Sequence, residues 1–229
     1  MSEPGSRRGR THDAEGTREA ILDAAEKVFA EHGFDGARTD AIAAEAGYNK
    51  SLIFQYFGDK LGLYIAVNKR VDKDINELGE RILSPLLEDE TIASDAHRFR
   101  MFLETAIGVL FDYLLDHPRP IRIILWEQAE RWQTYTKIIS QFDTADVEQL
   151  RSLFAQAWRM GLLRSDFDPL IQLVLAEQMC WSYLASIPFY QMFLEGEDLS
   201  STEALAHAKK FIVEFIVAGM MVDLPEKKP

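Results

Sequence analysis

Apolar residues recur at helical spacing along most of this 229-residue chain, whereas strand-like alternation is weak. In the first such segment the apolar positions follow the pattern i, i+4, i+7, i+8 and i+11, which places them on one helical face. These positions are Ile21, Ala25, Val28, Phe29 and His32. The pattern predicts an all-α fold of about nine helices, in which a three-helix N-terminal module precedes a larger helical body.

The first residues of the chain differ from the rest, because residues 1–16 combine glycines and arginines and contain no apolar run. This composition predicts a flexible basic tail rather than a secretory signal. We expect the three-helix module to occupy residues 17–60 and the helical body to occupy residues 61–229. Residues with helix-capping side chains mark several predicted helix starts. These caps are Thr17, Thr39, Asn49, Asp59 and Thr202.

The charge and cysteine content narrow the possible functions. A net charge of −12 argues against general affinity for polyanions, so any nucleic-acid contact must use a small, focused surface. The single cysteine, Cys180, excludes an intramolecular disulfide framework and a cysteine-based zinc cage, and it fits the reducing cytoplasm. The five histidines are scattered without metal-ligand spacing. We therefore expect no enzyme activity, no metal and no cofactor.

Two segments of the body are unusually apolar. Residues 171–194 contain one charged residue, Glu177, and are long enough to cross a bilayer, but polar residues and Pro188 interrupt them and their flanks are acidic. We therefore expect no membrane span. Residues 211–222 likewise contain a single charge. Helices that are apolar on every side must be covered on both faces, so we expect a homodimer through about residues 170–194 and 203–222. The alternative is that both helices lie inside the core of one subunit.

Two short predicted helices joined by Gly47-Tyr48-Asn49 follow the first long helix. This arrangement is typical of a helix-turn-helix, which places its second helix in the major groove of DNA. It is also compatible with an ordinary corner between two helices. The local pattern alone leaves both interpretations open.

The segment "TDAIAAEAGYNKSLIFQYFGDKLGLY", residues 39–64, resembles the DNA-binding signature of TetR-type transcriptional regulators. The matching positions are Thr39, Ile42, Ala43, Ala46, Gly47, Tyr56, Phe57 and Lys60. The resemblance implies a ligand-responsive, dimeric regulator that binds a palindromic operator in double-stranded DNA and is most often a repressor. The competing hypothesis is a helical small-molecule carrier or interaction protein without DNA binding.

The outer face of the second short helix and the two helix starts beside it supply the candidate DNA contacts. Gln55 is the candidate for base recognition because its amide can bond adenine through two hydrogen bonds. Phe54 stands where the family usually has Tyr, so it cannot donate to phosphate. Asp40 either stabilises the helix start or accepts from cytosine N4. The full candidate set is Thr39, Tyr48, Asn49, Lys50, Ser51, Phe54, Gln55, Tyr56 and Lys60.

Large side chains concentrate in the body, where one helix is predicted over residues 121–142. Such residues usually form a core, but the resemblance implies a small-molecule pocket, and the composition suggests an apolar or aromatic effector. Two tryptophans flank Glu127 and Glu130, which suggests a site for a cation; the alternative is that both glutamates are solvated. The candidate ligand residues are Met101, Phe111, Trp126, Glu127, Glu130, Trp158 and Trp181.

Overall fold

The computed structural model describes residues 7–87, 91–142, 145–166, 168–194 and 196–222. Within these ranges the chain is all-α, as the periodicity predicts, and the only strand-like feature is an isolated antiparallel bridge between Leu163 and Met221. The helices are α1 (Arg7–Gly36), α2 (Thr39–Ala46), α3 (Lys50–Phe57), α4 (Lys60–Leu87), α5 (Ala96–Asp116), α6 (Pro118–Ala129), α7 (Tyr135–Ile138), α8 (Ala145–Arg159), α9 (Pro169–Tyr190) and α10 (Thr202–Met220).

Helix α1 begins at Arg7, ten residues before the predicted cap at Thr17. Thr17 therefore lies inside the helix and does not cap it, and residues 7–16 of the predicted tail are helical. Residues 1–6 of that predicted tail lie outside the described residues. Near its other end α1 is kinked at Gly33, where φ is 68° and ψ is −179°. Glycine adopts this backbone conformation without the steric penalty of a side chain.

The chain forms two compact units, and the first comprises residues 1–74 and 118–142. In this unit α1 packs against α2 and α6, and α2 packs against α3. The largest fully buried side chains of its core are Ile21, Leu22, Phe29, Ile42, Ile53, Leu63, Tyr64 and Ile138. The unit boundary differs from the predicted division between residues 60 and 61, because the start of α4 and the whole of α6 and α7 belong with the N-terminal helices.

The helix predicted over residues 121–142 is interrupted. It consists of α6, a turn and α7, with a short 3₁₀ segment at Ile139–Gln141. The break occurs where Arg131 and Trp132 adopt left-handed backbone angles, with φ values of 59° and 61°. Non-glycine residues adopt this conformation at a steric cost. The amide of Tyr135 then donates to the Glu127 side chain at 3.0 Å, which stabilises the turn.

The second unit comprises residues 75–117 and 143–229. Here α5 packs against α9 and α10, and α8 packs against α9. Phe99, Phe102 and Phe154 form an aromatic group in its core, with the rings of Phe99 and Phe154 in edge-to-face contact at 5.7 Å. Asp168 caps α9 by accepting from the amides of Leu170 and Ile171.

Helices α9 and α10 expose large apolar side chains within this unit. By length and composition α9 is able to cross a membrane, and only 22% of its apolar window is buried. The exposed apolar residues of these helices and their ends are Ile171, Val174, Leu175, Phe189, Tyr190, Met192, Phe193, Leu194, Phe211, Phe215 and Val222. The last helix begins one residue earlier than predicted, because Ser201 rather than Thr202 caps it, accepting from the amide of Ala204.

Candidate DNA-binding surface

Helices α2 and α3 are joined by a tight turn that sequence-specific caps define. Gly47 ends α2 in the left-handed conformation, with φ of 73°, and its N–H bonds the carbonyl oxygens of Ala43 and Ala44. Asn49 caps the N-terminus of α3, and its Oδ1 accepts from the amide of Leu52 at 2.8 Å. The predicted cap at Asn49 is therefore confirmed. Because the short turn between α2 and α3 is capped at both ends, it fixes the orientation of α3 relative to α2, as a helix-turn-helix requires.

The predicted cap at Thr39 is wrong. Arg38 occupies the capping position, with extended angles of φ −104° and ψ 132° and no side-chain hydrogen bond to the helix, and Thr39 is the first helical residue. The Thr39 hydroxyl is consequently not used to cap α2. The backbone N–H groups at this helix start have no side-chain acceptor from the capping residue, which leaves them suited to an anion.

Helix α3 has an inner and an outer side. Ile53 is fully buried and Phe57 packs against the same core, which anchors the helix. Ser51, Phe54 and Gln55 are exposed on the other side. An exposed amide beside an exposed hydroxyl provides hydrogen-bond donors and acceptors of the kind that read base edges in the major groove.

Both lysines among the candidate contacts have partners inside the protein. Lys50 Nζ lies 3.1 Å from Asp40 Oδ2 and 5.9 Å from the centre of the Phe54 ring. Lys60 Nζ donates to the carbonyl oxygen of Asp35 at 3.2 Å and lies over the Phe34 ring at 4.7 Å. Partial burial lowers the pKa of Lys60, although nearby acidic groups oppose this shift.

The hydroxyl groups of the two candidate tyrosines face the long first helix. Thr17 Oγ1 lies 3.4 Å from the Tyr48 hydroxyl, and the Tyr56 hydroxyl donates to the carbonyl oxygen of Ala14 at 3.3 Å. These contacts join α1 to the turn and to α3. The predicted cap at Asp59 is confirmed, since its Oδ1 accepts from the amide of Gly62 at 2.7 Å.

Two arginines that the sequence analysis did not single out contribute to this unit. The Arg38 side chain is exposed at the start of α2, beside the candidate contact Thr39. Arg70 of α4 pairs with three acidic residues of α1, namely Glu19, Asp23 and Glu26, at 3.4, 2.7 and 2.5 Å. The signal for Arg38 is its position directly before the matched motif. Arg70 carries no local signal, because its partners lie more than 40 residues away.

Three of the seven candidate ligand residues belong to the first unit, and they have structural partners there. Glu127 is 2% exposed and accepts from the Tyr64 hydroxyl at 2.6 Å as well as from the amide of Tyr135, so the alternative that it is solvated is wrong. Trp126 Nε1 donates to the carbonyl oxygen of Ala30 at 3.3 Å. Burial raises the pKa of the Glu130 carboxyl, and Asp35 and Glu127 add to the shift.

The remaining four candidates lie in the second unit. Phe111 and Trp181 are buried, whereas Met101 and Trp158 are 47% and 44% exposed. Neither unit brings all seven residues together.

The buried thiol of Cys180, beside Glu177, has its pKa raised to about 12, which leaves it unreactive at neutral pH. Among the described residues no group of three His, Cys, Asp or Glu side chains is placed to hold a metal ion.

Helices α1 to α3 thus have the architecture of a helix-turn-helix module, the class of structure that binds DNA through its second short helix. Protein-family models match both the N-terminal and the C-terminal part of the chain. Residues 21–67 match the model of bacterial regulatory proteins of the tetR family, and residues 100–216 match that of the tetracyclin repressor-like C-terminal domain. The chain belongs to the tetR family of transcriptional regulators.

Several known transcriptional regulators are similar to this chain over half of its length or more. The HTH-type transcriptional repressor NicS of Pseudomonas putida is 26% identical over 213 residues, which cover 92% of this chain and 95% of that protein. The repressor SCO4008 of Streptomyces coelicolor is 37% identical over 118 residues, about half of each chain. The crystal structure of the putative regulator SCO4942 from Streptomyces coelicolor, 25% identical, superposes with a TM-score of 0.60 over 89% of this chain and 98% of that one.

Proposed function

We propose that the protein is a cytoplasmic, homodimeric repressor that releases a palindromic operator when a small molecule binds its helical body. The main support for this proposal is the exposed outer side of α3. There Ser51 and Gln55 are accessible, whereas Ile53 on the opposite side is fully buried. Gln55 reads a base edge, and Thr39, Tyr48, Tyr56 and Lys60 contact the sugar-phosphate backbone.

The backbone contacts require some side chains to leave their present partners. The backbone N–H groups at the start of α2, which the Arg38 side chain does not cap, receive one phosphate, assisted by the Thr39 hydroxyl and the exposed Arg38 side chain. Lys60 must turn away from the carbonyl oxygen of Asp35, to which it donates at 3.2 Å. That bond is exposed, so exchanging it for a phosphate contact has a small free-energy cost.

A second copy of the chain covers the exposed apolar surface of α9 and α10. Phe211 and Phe215 of α10 are 60% and 57% exposed and stack on each other, with ring centres 6.0 Å apart. A contiguous apolar surface of this kind is typical of an interface between subunits. Dimerisation pairs two recognition helices, which a palindrome with half-sites about one DNA turn apart requires.

The effector is proposed to be an apolar or aromatic small molecule bound in the second unit. The support is an aromatic interior that includes Phe111 and Trp181, both buried. Effector binding and operator binding are coupled with a free energy of about 1–3 kcal/mol, which corresponds to a change in operator affinity of roughly 5- to 150-fold.

Selection of bound duplexes from a random pool tests the DNA-binding role. The wild-type protein is expected to recover a palindrome. Replacing Gln55 by alanine is expected to relax the preference at one position per half-site by about 1–3 kcal/mol, because only the base contact is lost. Lys60→Ala serves as the control, since loss of a phosphate contact weakens all sequences alike.

Two outcomes count against this function. An unchanged base preference in Gln55→Ala removes Gln55 from base recognition. Recovery of no specific, salt-sensitive complex by the wild-type protein favours the alternative, a helical carrier or interaction protein that does not bind DNA.

A further inference from the structure

Asp40 places a carboxylate on the surface that the proposed function assigns to DNA, where phosphates repel it. Its side chain is 75% exposed in the first turn of α2, and its Oδ2 lies 3.1 Å from Lys50 Nζ at the start of α3. An exposed ion pair contributes only about 0–1 kcal/mol to stability. An acidic residue in the first helical turn adds about 0.3–1 kcal/mol whether or not it has a partner. Neither effect requires the carboxylate to be paired with a lysine of the recognition helix.

The ion pair between Asp40 and Lys50 matters for DNA binding because the helix-turn-helix segment has few cations. Residues 38–60 contain three basic and three acidic residues, so their formal charges cancel. Of the basic residues, Lys50 is paired with Asp40, and Lys60 is held by the Asp35 carbonyl oxygen and the Phe34 ring. Affinity for DNA of arbitrary sequence depends on the cations that neutralise phosphates. In its present arrangement the segment therefore offers few cations to a non-operator duplex.

Asp40 and Lys50 together present one hydrogen-bond acceptor and one donor, which complement the major-groove edge of a single G·C base pair. In the major groove, cytosine presents the N4 donor and guanine presents the O6 and N7 acceptors. Cytosine N4 donates to guanine O6 within the base pair, so the two atoms lie about 2.9 Å apart. The Asp40 acceptor and the Lys50 donor are 3.1 Å apart, which is a similar spacing.

We propose that Asp40 is a specificity-determining residue that acts together with Lys50. On a duplex that lacks a suitably placed G·C pair, the ammonium group stays on Asp40 and neutralises no phosphate. At the operator, guanine accepts from Lys50 and cytosine donates to Asp40, so both members of the ion pair keep a partner. The proposal rests on the proposed binding of DNA by α3.

The test compares Asp40→Asn with the wild-type protein by fluorescence anisotropy. The two probes are the duplex that the wild-type protein selects and a scrambled duplex of the same length and base composition. Asp40→Asn is expected to bind the scrambled duplex more tightly, with a salt slope steeper by up to about 1.8 for the two lysines released per dimer. The ratio of selected to scrambled affinity is expected to fall at least roughly tenfold.

Two further variants separate this role from simple repulsion. Glu45→Gln removes a similar exposed ion pair, 2.7 Å from Lys27, and is expected to change the affinity ratio less than about twofold. In a Lys50→Met background, Asp40→Asn is expected to lose more than half of its effect, because most of that effect is the release of the Lys50 ammonium group.

An affinity ratio that stays within about twofold in Asp40→Asn overturns the proposal. Equal effects of Asp40→Asn with and without Lys50 also overturn it, because they reduce Asp40 to a repulsive charge. If the wild-type protein selects no duplex, the proposed function itself fails. That result differs from one in which the wild-type protein selects a duplex and only the role of Asp40 fails.

Discussion

The hydrogen bond between Tyr64 and Glu127 provides a sharp test of how the first unit is held together. Both side chains are almost completely buried, with exposed fractions of 1% and 2%. The Tyr64 hydroxyl donates to Glu127 Oε1 at 2.6 Å, and the amide of Tyr135 donates to Oε2 at 3.0 Å. This carboxylate therefore joins α4, α6 and the start of α7. Burial and the Glu127 carboxylate raise the pKa of Tyr64, so the hydroxyl remains a donor at neutral pH.

Replacing Tyr64 by phenylalanine removes one donor from a buried charge and changes the packing volume little. Hydrogen bonds to charged groups contribute about 1.5–3 kcal/mol, and a buried acceptor that loses its partner costs a similar amount. We expect the free energy of unfolding to fall by about 2 kcal/mol. The measurement is urea unfolding at fixed protein concentration, followed by circular dichroism, with the slope m unchanged.

Tyr183→Phe is the matched control, because the Tyr183 hydroxyl makes no hydrogen bond with the described residues and its ring contact with Phe111 remains. We expect the control to change the free energy of unfolding by less than about 0.5 kcal/mol. A Tyr64→Phe variant as stable as Tyr183→Phe refutes the role assigned to the buried carboxylate.

The remaining predictions concern charge and assembly. Glu130→Gln is expected to raise the urea midpoint at pH 7, because the folded state raises the pKa of this carboxyl and so disfavours its charged form. The difference in urea midpoint between Glu130→Gln and the wild-type protein is expected to shrink as the pH falls through the pKa of Glu130. A difference that stays constant with pH contradicts a raised pKa for this carboxyl. Phe215→Asp is expected to yield folded monomers in sedimentation, since it places a charge on the proposed subunit interface. Phe54→Asp, also at an exposed phenylalanine, is expected to leave the dimer intact; equal dissociation by both variants argues against the interface.

Elements specified by neighbouring residues were predictable from the sequence. The caps at Asn49 and Asp59 and the left-handed turn at Gly47 depend on side chains and backbone angles within a few residues. The burial of Ile53 likewise follows from helical spacing. The cap of α2 was not predictable in this way, because the extended backbone of Arg38 places the helix start one residue closer to the N-terminus.

Features that depend on distant residues escaped the sequence analysis. Glu127 has the local appearance of a solvated or ligand-binding carboxylate, but its partner Tyr64 is 63 residues away. Near the kink at Gly33, the carbonyl oxygen of Ala30 accepts from Arg122 and Trp126, which lie more than 90 residues further along the chain. These bonds assign α6 to the first unit, and helical periodicity carries no information about such pairings.

Photocrosslinking from position 55 tests most directly whether the outer side of α3 lies in the major groove of the operator. A photoreactive residue at Gln55 is expected to crosslink to a base of the selected duplex, with the same base labelled in each half-site. The same residue at Gln149, an exposed glutamine of α8, is expected to give no crosslink. Crosslinking from position 149 but not from position 55, in a complex that retains wild-type affinity, contradicts the account.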